Sequence, residues 1–443
     1  VYKRQIQNHT VSVEEAMRMA IQLHQRGELA KASDIYDDIL KVVPDSADAL
    51  HFKGMIQHQI GESEKAIELI SRALQLVPVY PAALNNLGNV LNESGRLEEA
   101  RERYQQVLEI SPEHVDTLVN MGVVHNGLRE PTEALEYLEK ALTIDPDHAA
   151  GWHNLGNAYS QLKSYDKAKS AFEKSAKLEP GNTKSLKEIA KILYKSGNKK
   201  ESVKTLQRLL EQNPDDEIAK HMIAAFGGSE VPDRASELFV VQTFDNYATS
   251  FDESLARLEY KAPQIVGDAL RRLTRADRRI DILDIGCGTG LCGPIVKPLA
   301  SKLVGVDLSA GMLRKAKLRD TYDSLHLAEL TDFMQKSDAT YDAIICVDTF
   351  VYFGKLDEAF VAAESILNPR GHLIFTVERH TLDESADDFQ LQYHGRYSHV
   401  DDYLERSLSA TGLVVQSLTP VVPRIELGEP VNGSLVVAYK ADE

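Results

Sequence analysis

Two aspartates and three alternating glycines are the residues of this sequence best suited to chemistry. In DILDIGCGTG, Asp281 to Gly290, a short apolar run breaks into Gly286, Gly288 and Gly290. A glycine turn between strand and helix brings main-chain N–H groups close to a ligand. The alternating spacing differs from the G-x-G-x-x-G step that seats a pyrophosphate at a helix N-terminus. Asp284, just ahead of the turn, also puts negative charge where a pyrophosphate would sit. Its carboxylate suits a ligand carrying an amino group or a sulfonium cation. Asp307, at the end of the next apolar run, is where an acceptor for both hydroxyls of a ribose is expected.

These residues need a frame, and the pattern after residue 280 supplies one. IDILDI is followed by a helix over about 290–300, KLVGVDL by a helix over about 309–319, and LHLAEL by YDAIICVDTF. A helix near 355–367, GHLIFTVE, a helix near 400–411, GLVVQSL and GSLVVAYK complete the series. Short aliphatic strands alternating with helices imply a mostly parallel, doubly wound sheet, with ligands beyond the carboxyl ends of its strands.

In ILDIGCGTG and GVDLS this half resembles the class I S-adenosylmethionine-dependent methyltransferases. The resemblance implies a Rossmann-like α/β domain with S-adenosyl-L-methionine as cofactor. It implies cofactor contacts at Asp284, Gly286, Gly288, Gly290, Asp307, Leu308 and Met312. LHLAEL puts Glu329 and Leu330 where adenine contacts lie in that family, and ICVDTFVYFG puts Asp348 at the pocket mouth. LNPRGHLIFTVE matches the family's usual turn into its fifth strand. Upstream, FDNYATSFD resembles a segment that folds over the cofactor in repeat-bearing bacterial members, with Tyr247 and Phe251 as its contacts. GRYSH, Gly395 to His399, matches a stretch near their acceptor side, so Arg396 and Tyr397 are expected to touch substrate. His399, Tyr352 and Glu378 are the expected catalytic groups, with Asp348 a further titratable candidate beside His399 and Glu378, and Tyr352 and Arg396 able to orient an acceptor. Methyl transfer is an in-line displacement in which positioning does much of the work, and a base helps only where the acceptor carries a proton.

The first half has a different period. Gly54, Gly88, Gly122 and Gly156 recur at about 34 residues, as do Pro44, Pro78, Pro112, Pro146, Pro180 and Pro214. Ala32, Ala66, Ala100, Ala134 and Ala168 keep the same step, with Ser202 in the last unit. Small residues let paired helices approach, Leu87, Tyr104, Trp152, Tyr159 and Phe172 fill the space between them, and proline stops the second helix. The pattern resembles tetratricopeptide repeats, about six of them, which implies an all-α superhelix with a concave groove. Asn86, Asn120 and Asn154 stand at equal repeat spacing. A row of amides can donate to and accept from an extended peptide, or it can tie neighbouring helices together; the sequence leaves both open.

The bulk properties narrow the function classes. The chain has 443 residues, 43% hydrophobic and 26% charged, the composition of an ordered protein with room for two domains. A formal net charge of -17 argues against nucleic acid as partner, and the cluster Arg271, Arg272, Arg275, Arg278 and Arg279 reads as the solvated side of a helix. Cys287, Cys292 and Cys346 offer neither a disulfide framework nor a metal site, and fit the cytoplasm. No apolar run is long enough to span a bilayer. The opening VYKRQ lacks a Met and reads like a translated sequencing-library adapter, so residues 1–12 are expected to be unstructured, the start of a truncated, metagenome-derived bacterial frame. The expected layout is then repeats over 13–226, with 217–226 as capping helix, a hinge at 227–235, and a methyltransferase domain with a helical lid over 236–443. The expected function is methyl transfer to a protein or peptide held by the repeats. Two alternatives stand beside it: a small-molecule, lipid or glycan acceptor with the repeats used for assembly, and a non-catalytic peptide-binding scaffold.

Overall fold

The computed structural model describes residues 3–6, 9–275, 278–381, 387–426 and 428–442. The chain divides into two compact units, Val1–Glu188 and Ile189–Glu443. The division lies well ahead of the expected hinge at 227–235.

The first unit is built of helical hairpins whose members are nearly constant in length. Val13–Gln25 pairs with Leu29–Val42, Ala47–Gln59 with Ser63–Leu76, and Pro81–Glu93 with Leu97–Ile110. Val115–Gly127 and Pro131–Ile144 follow, then Ala149–Gln161 and Tyr165–Leu178. The 34-residue glycines set how closely each pair packs. A Cβ added at Gly88 would lie 2.5 Å from the Tyr104 ring, at Gly122 2.4 Å from Leu138, and at Gly156 2.6 Å from Phe172. Each glycine thus faces a large side chain of the second helix, and any larger residue would force the pair apart. The expectation of no structure before residue 13 is corrected in part. Lys3–Ile6 pairs antiparallel with His9–Ser12, and Ser12 caps the first helix by accepting from the Glu15 amide at 3.2 Å.

The second unit contains the helices Lys199–Gln212 and Glu217–Ala225 as well as the sheet. The second of these, expected to cap the repeats, packs on the helix Glu237–Tyr247. The His221 ring stacks on Phe239 at 4.0 Å, and its Nε2 donates to the Gly395 carbonyl at 2.8 Å. That buried contact explains why the chain does not divide at 227–235.

The sheet strands are labelled β1 to β9 in chain order: β1 Ile280–Ile285, β2 Ala300–Asp307, β3 Ser324–Leu327, β4 Tyr341–Cys346 and β5 Leu367–Arg379. The remainder are β6 Phe389–Leu391, β7 Tyr397–His399, β8 Leu413–Val421 and β9 Gly433–Lys440. Their order is β8-β9-β5-β4-β1-β2-β3, with β6 and β7 paired beside β5. The pairs among β1 to β5 are parallel, and β9 runs antiparallel between β5 and β8. The central strands are aliphatic on both faces because both faces are covered: one side packs Leu283, Ile344 and Phe375, the other Ile282, Ala343 and Ile374. Strand order reverses between β1 and β4, so the ends of β1 and β2 form one side of a crevice and those of β4 and β5 the other.

Two local expectations change. The helix expected over 290–300 is a single turn, Gly293–Val296, followed by a 3-10 turn Lys297–Leu299. Pro294 opens the first and Pro298 interrupts its continuation, removing amide donors that a longer helix would need. GRYSH, in turn, is strand for its last three residues, paired with β5 and β6.

Candidate functional site

The glycine turn leaves β1 with all three glycines in the left-handed region, at φ 70° for Gly286, 55° for Gly288 and 81° for Gly290. A Cβ at Gly286 would lie 2.1 Å from Thr349 Oγ1, whereas one at Gly288 would meet nothing within 4 Å. Gly286 is therefore required by its neighbours, and Gly288 by open space beside the turn. Thr349 Oγ1 donates to the Gly286 carbonyl at 3.2 Å, which ties the turn to the end of β4.

Two carboxylates flank this bend. Asp284 is 1% exposed, and its Oδ2 accepts from the Tyr322 hydroxyl at 2.7 Å. Its Oδ1 is buried without a partner among the described residues. Burial pushes its pKa up to about 7, against the Tyr322 hydrogen bond. A buried carboxylate oxygen with no donor is costly and asks for one from a ligand. At the end of β2, Asp307 accepts from the Gly288 amide and the Ser309 amide, each at 2.8 Å, on opposite oxygens. Each oxygen keeps a second lone pair. Leu308 beside it is half-buried, and Met312 is buried under the following helix, Ala310–Leu318.

The lid segment closes on the turn through residues the sequence reading passed over. Asp245 Oδ1 accepts from Ser309 Oγ at 2.5 Å and from the Gly311 amide at 3.1 Å. Asp252 accepts from Thr289 Oγ1 and pairs with Arg319, whose Nε donates to the Thr289 carbonyl at 2.7 Å. The expected contact Tyr247 is instead 56% exposed. Phe251 packs edge-on against Phe244, which lies edge-on against Tyr352 at 5.4 Å. The available signal was Asp245, two residues before Tyr247, and Asp252, one residue after Phe251.

Glu329 and Leu330 take structural positions. Glu329 caps the helix Leu330–Gln335, accepting from the Asp332 amide at 2.8 Å, and pairs with Arg234 at 3.2 Å. Leu330 is in the core beneath the sheet.

Across the crevice, the ends of β4 and β5 carry a buried ion network. Asp348 sits at φ 58°, a strained conformation for a residue with a side chain. Its Oδ2 pairs with Arg424, and its Oδ1 is buried without a partner among the described residues. Burial raises its pKa, against the pull of Arg424. Arg424 also pairs with Glu378 and, at 2.6 Å, with Glu426. Burial disfavours its charge, but Asp348 and Glu378 more than offset this, so its pKa moves up. Arg396 reaches Glu378 at 2.5 Å and Glu426 at 2.7 Å. Arg424 and Glu426 carry no signal in the sequence because Arg424 lies just ahead of, and Glu426 within, the two-residue strand Ile425–Glu426, too short to show periodicity. Tyr352 lies beside this network, half-buried, with its hydroxyl pKa pushed up to about 12 by burial.

Three expectations are corrected here. His399 is 0% exposed; its Nε2 donates to the Gly354 carbonyl at 2.9 Å, and its ring stacks on Tyr403. Burial lowers its pKa to about 4, so it is a neutral core histidine out of reach of an acceptor. Tyr397 is likewise 0% exposed, its hydroxyl donating to the Pro232 carbonyl at 2.8 Å. Glu378 is locked between two guanidiniums, with its other oxygen 3.5 Å from His394, and anchors the network instead of serving as a free base.

The asparagine row also resolves. Asn86 Nδ2 bonds His51 Nε2 at 2.9 Å, Asn120 Nδ2 donates to Asn89 Oδ1 at 2.9 Å, and Asn154 Nδ2 donates back to the Ala150 carbonyl at 2.9 Å. Asn126 donates to the Asn154 carbonyl at 2.9 Å. Asn86, Asn120 and Asn126 thus tie neighbouring helices together, whereas the Asn154 side chain bonds within its own helix.

This arrangement can be set beside known proteins. A family model described as a methyltransferase domain matches residues 257–418. Models described as tetratricopeptide repeats match 18–81 and 80–147, and one described as a cytochrome c-type biogenesis protein H TPR domain matches 137–230. Methyltransferase-like protein 27 of Homo sapiens is 30% identical over 45% of this chain and 76% of its own length. Malonyl-[acyl-carrier protein] O-methyltransferase of Priestia megaterium is 31% identical over 36% of this chain and 56% of that protein. For the ubiquinone biosynthesis O-methyltransferase of Chelativorans sp., the identity is 27% over 32% of this chain and 61% of that protein. A solved structure of Pseudomonas aeruginosa pilF covers 48% of this chain and 96% of that chain at 22% identity, with a TM-score of 0.42. The fold and the crevice define a Rossmann-like transferase domain that follows a helical repeat array in the chain. The chain belongs to the methyltransferase family, with tetratricopeptide repeats ahead of its methyltransferase domain.

Proposed function

We propose that this enzyme transfers a methyl group from S-adenosyl-L-methionine to a protein or peptide recruited by the repeats. The observation that carries the donor assignment is the buried, unpartnered Oδ1 of Asp284 beside the bare glycine turn. The residues fit that compound. Asp284 would take its ammonium group, the Gly286–Gly290 turn would let its chain pass close to the backbone, and Asp307 would accept from the ribose. Bound there, the compound supplies an electrophilic methyl on a sulfonium. The chain's own part is to fix that methyl against the acceptor and to keep water out, for which the lid contacts of Asp245 and Asp252 are suited.

The acceptor assignment rests on the repeats, a type of module that generally mediates contacts between proteins. A second tethering site raises the local concentration of acceptor at the crevice. Three buried thiols fit a reducing compartment such as the cytoplasm. A second reading, a small-molecule acceptor, draws on the names of the acyl-carrier and ubiquinone-biosynthesis relatives. Methyl-labelled donor incubated with the full chain and a bacterial lysate separates the two. Label in the protein fraction is expected; label in the organic extract alone overturns the protein acceptor.

A further inference from the structure

The crevice has a second side that the cofactor assignment does not use. Asp348 lies two residues past the central strand β4, beside the glycine turn, since its neighbour Thr349 bonds the Gly286 carbonyl. Its backbone is held in place by its own amide, which donates to Thr376 Oγ1 on β5 at 2.9 Å. Its carboxylate is held by Arg424, whose side chain is 3% exposed. The loop bearing that arginine is pinned in turn: Lys261 donates to the Pro423 carbonyl and Leu258 accepts from the Ile425 amide, both at 2.7 Å. Asp348 is fixed at its backbone and at Oδ2, while its Oδ1 is buried and has no donor among the described residues.

The charge balance around it is also uneven. Asp348, Glu378 and Glu426 face Arg396 and Arg424, three carboxylates against two guanidiniums. Of the other titratable neighbours, His394 is held neutral at ordinary pH, its pKa lowered to about 3 by burial and by Arg396, and burial raises the hydroxyl pKa of Tyr352 and Tyr260, keeping both protonated. With all three carboxylates ionised, one negative charge is left over beside the unpartnered Oδ1 of Asp348, and burial resists that charge until a cation meets it. An anionic acceptor such as a carboxylate would add to that excess. A cationic donor would cancel it and fill the vacant hydrogen bond.

We propose that Asp348 receives the acceptor's nucleophile and that this nucleophile is a primary amine, carried by a protein lysine or by a small amine. This deepens the methyltransferase reading and rests on it. In the step, the acceptor ammonium gives one proton to Asp348 Oδ1, and the freed nitrogen lone pair forms a bond to the methyl carbon. The carbon–sulfur bond breaks with its electron pair going to sulfur. The products are a methylated ammonium and a neutral thioether, and Asp348 returns its proton to solvent. Asp348 is then a catalytic residue on the acceptor side, which moves it out of the cofactor set, while Arg424 positions it.

The test is calorimetry on the full chain saturated with S-adenosylhomocysteine, titrated with pentylamine, pentan-1-ol, pentanoic acid and the peptide acetyl-Ala-Lys-Ala-amide. Binding of one or both amines in preference to the alcohol and the acid is expected, and whichever amine binds more tightly assigns the source. In Asp348→Asn, amine affinity should fall roughly tenfold or more, as for loss of a charged hydrogen bond, with S-adenosylhomocysteine affinity within a factor of about two. Alcohol or acid binding as tightly as either amine, or an unchanged amine affinity in Asp348→Asn, overturns the proposal. If that variant does not fold, the four-ligand comparison on the native chain decides alone. Failure of S-adenosylhomocysteine to bind at all would instead sink the methyltransferase reading beneath it.

Discussion

Asp284 makes donor binding depend on pH in a way that can be worked out in advance. In the ligand-free protein its carboxyl titrates near pH 7, against 3.8 for an ordinary aspartate. An ammonium ligand needs the ionised form. At pH 5, two units below that value, roughly one molecule in a hundred carries the charge, so affinity should be about 100-fold weaker than at pH 8. That factor equals about 2.7 kcal/mol. Binding at pH 6 should release close to one proton per site, because most carboxyls are protonated before the ligand arrives and ionised after it. The effect on stability has the opposite sense. A raised native pKa means that the unfolded chain loses its proton first. The contribution of Asp284 is thus fully present below about pH 4 and is lost as pH rises through about 7. The assay is calorimetry with S-adenosylhomocysteine from pH 5 to 8 in two buffers of different ionisation enthalpy, beside Asp284→Asn. The variant should bind weakly and without pH dependence. A native affinity constant within about twofold across that range, with no proton released, would refute the reasoning.

Two further outcomes follow from geometry. Gly286→Ala, whose Cβ would strike Thr349, should lose about 3 kcal/mol in denaturant unfolding, whereas Gly288→Ala should lose only about 1 kcal/mol but bind S-adenosylhomocysteine at least tenfold more weakly. Asn120→Ala removes the bond to Asn89 and should lower stability by about 1 kcal/mol, read as a melting shift of a few degrees, while leaving retention on a peptide array unchanged.

Much of the frame was legible because it is periodic. The 34-residue glycines predicted the helix pairs, since each one opposes a bulky residue sixteen positions on, as Gly88 does Tyr104. The strands β1, β2, β4 and β9 were visible as aliphatic runs because both faces of the sheet are covered. The turn and its two aspartates were legible because their spacing is local. What stayed hidden depends on contacts between distant segments. His399 reads as a polar residue near an acceptor, but β7 is only three residues long and inserts all of them into the core, a length at which no alternation can show. The partners of Asp348 come from a loop 76 residues further along, and nothing in that loop's own pattern announces an arginine that will be buried. The lid was recognised by its aromatic residues, while the bonds that fasten it are made by Asp245 and Asp252.

The stacking of His221 on Phe239 has a practical consequence for dissecting the gene. A fragment starting at residue 236, where the repeat pattern suggests a clean break, would strip away Glu217–Ala225 and leave the Phe239 ring and the Gly395 carbonyl facing water. Such a truncation should express as an aggregating or protease-sensitive product. A fragment opening at Lys184, the first residue of the helix Lys184–Lys195, would retain both helices that pack into the second unit.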